Sequence, residues 1–182
     1  FPVVDVDLGD APNSYRTTPA SSGPEHLIAA NFSLGLNLDG EFVVAPPAFG
    51  SPADVDDTTG TPDDEDGVTF PFVPLGAGAR PIFPICSPGV PVTVRYINGT
   101  FDIPNGYLDA WIDFNRDGDF DDAGEQIATS QLLVAGNNNL SIAVPCSATA
   151  GISYARFRLS SVGGLTPGGF SVDGEVEDYD ID

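Results

Sequence analysis

Residues 90–97 read VPVTVRYI, and the alternation in this stretch decides the fold class. Val90, Val92, Val94 and Tyr96 fall on one side of an extended chain, with Pro91, Thr93, Arg95 and Ile97 on the other. That is the period of a half-buried strand, not of a helix. The same rhythm returns in YLDAWID, where Leu108, Ala110 and Ile112 alternate with Tyr107, Asp109 and Trp111. It returns again in YARFRLS, where Ala155, Phe157 and Leu159 alternate with Tyr154, Arg156 and Arg158. NLSIAV and GEVEDYDI add two more strands. With 17 prolines and 21 glycines at spacings too short for long helices, the expectation is an all-β fold. Its form is a β-sandwich of antiparallel sheets joined by long acidic loops rich in Pro and Gly. We read residues 1–182 as a single module, 1–75 being loop-rich and 76–182 forming the sandwich core. The segment from Leu34 to Pro84, centred on PADVDDTTGTPDDEDGVTF, reads on composition as a loop or linker.

Charge narrows the partners. There are 27 acidic residues against six arginines, no lysine and one histidine, a formal charge of −21. The charge therefore disfavours nucleic acid and anionic membrane surfaces as partners and favours cations. A content of 41% hydrophobic residues with twelve Phe and one Trp is more than a disordered chain carries. No run of apolar residues is long enough to span a membrane.

The chain contains no Met, so Phe1 is not a translation start, and we read the sequence as mature and secreted with a signal peptide removed. Cys86 and Cys146 occupy matching contexts, PICSPG and VPCSAT, each at the edge of a strand-like segment. The parallel placement favours a disulfide; two free or metal-binding thiols are the alternative. Three sequons, Asn31-Phe-Ser, Asn98-Gly-Thr and Asn139-Leu-Ser, carry N-glycans only in a host that attaches them.

Three acidic clusters remain: Asp7 and Asp10 with Asp5 at the start; Asp63, Asp64 and Asp66 within a longer run in the middle; and DFNRDGDFDDAGE, Asp113 to Glu125. In the last, Asp113, Asn115 and Asp117 recur at every second position before Gly118, which is how a calcium loop turns side-chain oxygens inward. Oxygen donors without His or Cys select calcium over zinc or copper. The loop departs from an EF-hand, because Gly124 stands where the bidentate Glu belongs, Glu125 follows it, and the flanks are strands. A solvated Asp/Gly turn is the plain alternative. The candidate ligands are Asp113, Asn115, Asp117, Asp119, Asp121 and Glu125. To these we add Asp173, Glu175, Glu177 and Asp178 of the terminal SVDGEVEDYDID, where six carboxylates fall in twelve residues. Calcium between this motif and either the Asp113 loop or the DDEDG loop would supply the missing counter-charge. Cross-strand pairs from Arg156 and Arg158 to the motif are a compatible source. The distribution of side chains also leads us to expect a bulge or turn near Asp178.

Taken together and in order, DLGDAPNSY, GPEH, DDEDGV, AWIDFNRDGDFDDAGE, YARFRLS and DGEVEDYDI resemble the GEVED domain of bacterial secreted and cell-surface proteins. The likeness runs from about Asp7 to Ile181. It implies an extracellular β-rich module of surface or adhesin-like proteins, with no established catalytic activity and no defined ligand. Such modules are usually embedded in long multidomain chains, whereas we expect this sequence to hold the module alone.

Other residues take bland roles. His26, the only histidine, is expected to be a hydrogen-bonded structural residue, and no nucleophile elbow, P-loop or dinucleotide fingerprint is present. Glycoside hydrolysis by paired carboxylates is the unfavoured enzymatic reading. Trp111, Tyr107 and Phe114 could stack on sugars, but a core role for Trp111 is preferred. The functional expectation is a non-enzymatic, calcium-stabilised structural or adhesion protein of the cell surface or matrix, with a carbohydrate-binding module as the alternative. The apolar arm Phe1 to Val6 is either an ordinary edge strand or a strand that adds to the next copy's sheet and builds a filament.

Overall fold

A computed structural model describes residues 3–38, 41–44, 65–70, 80–99 and 105–182. Asp63, Asp64, Phe1 and Pro2 lie outside these residues. The alternating stretch of residues 90–97 is a strand, as its period requires, and it belongs to a series of twelve among the described residues. In chain order these are β1 (Val3–Leu8), β2 (Pro24–Leu27), β3 (Phe32–Leu34), β4 (Glu41–Val44), β5 (Val68–Thr69) and β6 (Val90–Asn98). There follow β7 (Gly106–Ile112), β8 (Gln126–Leu133), β9 (Gly136–Ile142), β10 (Ser153–Ser160), β11 (Gly169–Ser171) and β12 (Glu175–Ile181). Among the described residues the helical content is two short 3-10 turns, Asn13–Tyr15 and Pro19–Ser21. No helix among the described residues is long and apolar enough to cross a membrane.

Two sheets build the sandwich. One has the order β12-β10-β7-β8; in the other, β6 pairs with β9 along one edge and with β3 and β5 along the other. The inward faces match the alternation. Val90, Val92, Val94 and Tyr96, none more than 1% exposed, share one apolar cluster with Leu108, Ala110, Ile112, Ala155, Phe157 and Leu159. Phe32, Leu34, Val68 and Phe70 enter the same cluster. The N-terminal part, expected to be loop-rich, therefore contributes strands and core residues that the sandwich needs for closure.

A third sheet, β11-β2-β1-β4, was not legible in the sequence. Its pairs are antiparallel except β11 with β2. Together with the turns at residues 13–21, its chain covers the second face of β7 and β10. Trp111 is consequently buried with Ala11, Tyr15 and Phe120, and Arg156 and Arg158 are both 0% exposed. Two further expectations need correction. The N-terminal arm is not an edge strand, because β1 pairs with β2 on one side and with β4 on the other. The bulge near Asp178 is absent: β10 and β12 pair without interruption from Ser153↔Ile181 to Leu159↔Glu175. The irregularity falls instead between β7 and β8, around Ala110.

Cys86 and Cys146 form a disulfide with their Cα atoms 4.2 Å apart. The register explains the pairing. Val90 lies opposite Ile142, and the two cysteines continue their strands equally far beyond that pair, where Val144 also donates its amide to the Ser87 carbonyl.

Candidate functional site

The loop from Asp113 to Glu125 joins two neighbouring strands. Because Trp111 pairs with Gln126, the residues just beyond that pair, Asp113 and Glu125, are brought to the same end of the sandwich. The Ile112 amide closes the neck on the Glu125 carbonyl at 2.9 Å. Between them the chain turns through Gly118, whose φ of 94° lies in the left-handed region that glycine adopts without strain. This turn returns Asp117 toward the neck. Carboxylate oxygens of Asp113, Asp117 and Glu125 all lie within 4.8 Å of one another, Asp113 and Glu125 buried and Asp117 exposed. Among the described residues no other group of three acidic side chains gathers in this way.

The rest of the loop arranges these three. The Asp113 carboxylate accepts the Tyr15 hydroxyl at 2.7 Å and the Gly118 amide at 3.1 Å. Glu125 accepts the amides of Phe114 and Asp122, each at 3.2 Å. Asn115 braces the loop: its Oδ1 accepts the Asp117 amide, and its Nδ2 donates to Asp117 and Asp122. Asp119 caps the Asp121 amide at 2.8 Å, and Asp121 forms an exposed ion pair with Arg16. Arg116, the one basic residue inside the loop, turns away and donates to the carbonyls of Ile152 and Ala150, both at 2.8 Å. No arginine among the described residues forms an ion pair with Asp113, Asp117 or Glu125. Burial pushes the Glu125 carboxyl up to about 7, and the negative charges of Asp113, Asp117 and Asp122 add to the rise. An all-oxygen, net-negative pocket of this kind fits a hard divalent cation, which would hold the three carboxylates together by replacing their mutual repulsion.

The terminal motif is built differently. Period two sends alternate carboxylates of β12 to opposite faces. Glu175 and Glu177 point toward the sandwich interior, where Glu175 accepts the Leu34 amide and Glu177 accepts the Gly67 amide at 2.8 Å. Asp178 points to the other face and accepts the amides of Asp10 and Ala11 at 2.9 and 2.8 Å. It also takes a two-armed ion pair from Arg156, Nε and Nη2 both at 2.7 Å. Asp173 accepts the Ser161 amide at 2.8 Å and its hydroxyl, and Asp7 accepts the Val176 amide at 2.6 Å. Asp66 holds the Leu36 amide at 2.7 Å. These groups do not gather with the Asp113 loop in this geometry. Backbone N–H groups and Arg156 supply the positive partners, and the motif fastens three other chain segments to β12. Arg156 also accounts for the expected cross-strand pairing, whereas Arg158 lies opposite Val176 and takes another route. Its Nε donates to His26 Nε2 at 2.9 Å, and its Nη atoms reach the carbonyls of Thr166, Gly168 and Gly169. His26 Nδ1 then donates to the Asp173 carbonyl at 2.8 Å. Burial, reinforced by Arg158, holds the imidazole well below its ordinary range and therefore neutral.

Sequence reasoning missed Tyr15, Asp122 and Asp109. Asp109 is fully buried and accepts the amides of Ser130 and Leu165 at 2.8 and 3.1 Å. Tyr15 carries no local signal, because its link to Asp113 spans 98 residues.

No curated protein and no solved structure matches the chain. A family comparison does give a match, over residues 107–182, and leaves DLGDAPNSY and GPEH outside it. The matching family is the GEVED domain, and the loop of Asp113 to Glu125, the arginine strand and the terminal acidic motif all fall inside the span that is similar to it.

Proposed function

We propose that the chain is a non-enzymatic structural or adhesion module of the extracellular surface or matrix, stiffened by calcium at the 113–125 loop. The observation that carries the reading is the approach of Asp113, Asp117 and Glu125 to within 4.8 Å with no ion-paired arginine among them. Calcium accepts oxygen ligands at variable geometry, and here it would clamp the joint between β7 and β8. The Cys86–Cys146 disulfide supports an oxidising, extracellular setting. The non-enzymatic reading is supported by the commitment of groups that would do chemistry: His26 is buried between Arg158 and Asp173, and both cysteines are bonded. Carbohydrate binding through Trp111 is disfavoured, since that ring is only 3% exposed. Filament growth through the N-terminal arm would require β1 to leave both of its neighbours, so it forms no part of the proposal.

The test is thermal. At a hundredfold excess of calcium over Kd the folded state should gain about 3 kcal/mol, and chelation should reverse the gain. Asp117→Ala should remove most of the shift. A melting temperature indifferent to chelator in the wild type would refute the calcium reading.

A further inference from the structure

The three sequons all lie on or beside one sheet. Asn31 precedes β3, Asn98 ends β6, and Asn139 is in the middle of β9. The structure separates them sharply. Asn98 is half-buried at the end of β6, opposite Phe32. Asn31 is exposed at a left-handed turn, but the hydroxyl-bearing Ser33 of its sequon is buried. In the third sequon both Asn139 and Ser141 are exposed, while Leu140 between them turns toward the core. The Asn139 carboxamide is also oriented: Oδ1 accepts the Thr93 hydroxyl at 3.0 Å, which leaves Nδ2 facing outward. Its neighbour Asn138 has the opposite disposition, with Nδ2 donating to the carbonyls of Val134 and Gly136 at 2.8 and 3.0 Å.

We infer that Asn139 is an N-glycan acceptor. The donor class is a polyprenyl-pyrophosphate-linked oligosaccharide. The Asn139 Nδ2 forms a bond to the anomeric carbon of the first sugar, and the bond from that carbon to the pyrophosphate oxygen breaks. The lipid pyrophosphate leaves with the electron pair, and Nδ2 gives up one proton to the transferase. The position also has a physical consequence. Among the described residues β9 pairs only with β6, so it is an open sheet edge. Open edges are commonly guarded by charge, especially lysine, yet GNNNLSI carries no charged residue and the chain has no lysine. A bulky, hydrated glycan at the centre of this strand obstructs edge-to-edge pairing without one.

The inference shares only the extracellular setting with the proposed function. After reduction of the disulfide, cleavage at arginine places Asn98 in peptide 96–116 and Asn139 in peptide 117–156. Mass spectrometry of the protein from its native source should find a glycan on peptide 117–156 and an unmodified peptide 96–116. Protein secreted from a host with an oligosaccharide transferase should behave alike, and Ser141→Ala should return peptide 117–156 to its unmodified mass. An unmodified native peptide 117–156 overturns the proposal, as does a modification that survives Ser141→Ala. Either result leaves the calcium-dependent thermal shift untouched, so the two readings fail separately.

Discussion

His26 shows how one buried residue couples three segments through its two ring nitrogens. It accepts from Arg158 and donates to the Asp173 carbonyl, an arrangement available to the neutral ring only. Protonation would put a cation against Arg158 and remove the acceptor. The sign follows: the folded state holds this proton less well than the unfolded chain, so stability is full above the unfolded value of about 6.5 and is lost as pH falls below it. The loss should approach 1.4 kcal/mol per pH unit until the ring is forced to ionise. Urea unfolding at pH 7.5 and 5.5, in saturating calcium, checks this. His26→Gln should be less stable at pH 7.5 by about 1–3 kcal/mol but should show a flatter pH dependence. Equal slopes for both proteins would exclude His26 as the source. Gly174 beside it explains the first letter of the terminal motif. Its φ is 92°, and a Cβ there would stand 1.9 Å from the Leu159 carbonyl oxygen.

The element that organises the molecule is β12. On a strand, neighbouring carboxylates diverge to opposite faces, so Glu177 and Asp178 serve different segments although they are adjacent in sequence. Each is satisfied by backbone amides, and buried carboxylates are tolerable on that condition. Asp178 bears the greatest demand, because Arg156 is wholly buried against it and also donates to the Tyr15 and Pro167 carbonyls at 3.2 and 2.8 Å. Asp178→Ala should therefore cost about 3–5 kcal/mol, chiefly through the uncompensated guanidinium. The double variant with Arg156→Met should be less damaging than the single losses combined. Additive losses in a denaturant-unfolding cycle would mean that the pair contributes no coupling.

At the scale of the whole molecule, two long-range ties close the fold. The N-terminal segment lies across β7 and β10, with Tyr15 against both Phe120 and Tyr154 at centroid distances of 4.8 and 5.0 Å. The disulfide closes a loop with a sequence separation of 60, and in the chain-entropy account that restricts the unfolded state by ~4 kcal/mol. Reduction should lower stability by that order, as measured by chemical unfolding with and without reductant. An identical midpoint in both would show that the β6–β9 register holds these ends without the bridge. A charge of −21 adds a general repulsion, so moderate salt should raise stability even in chelator.

Period two was enough to derive the all-β class and the inward residues of β6, β7 and β10, because alternation is a local property written in consecutive side chains. The disulfide was legible from two matching strand-edge contexts. In the acidic loop, the D-x-N-x-D-G spacing identified Asp113 and Asp117, with Glu125 as the displaced third member. Sequence spacing did not give the hydrogen bonds of Asn115 to Asp117 and Asp122, or the turn and ion pair that Asp119 and Asp121 make, since these depend on rotamers and on Arg16. Least legible were the hydrogen-bond partners of the terminal motif. Its carboxylates looked like a charge in search of a metal, and only the tertiary structure showed that Leu34, Gly67, Asp10 and Ala11 bring their amides to it. Such partners are up to 168 residues away, and no local pattern encodes a contact made by backbone N–H groups that every residue except proline possesses.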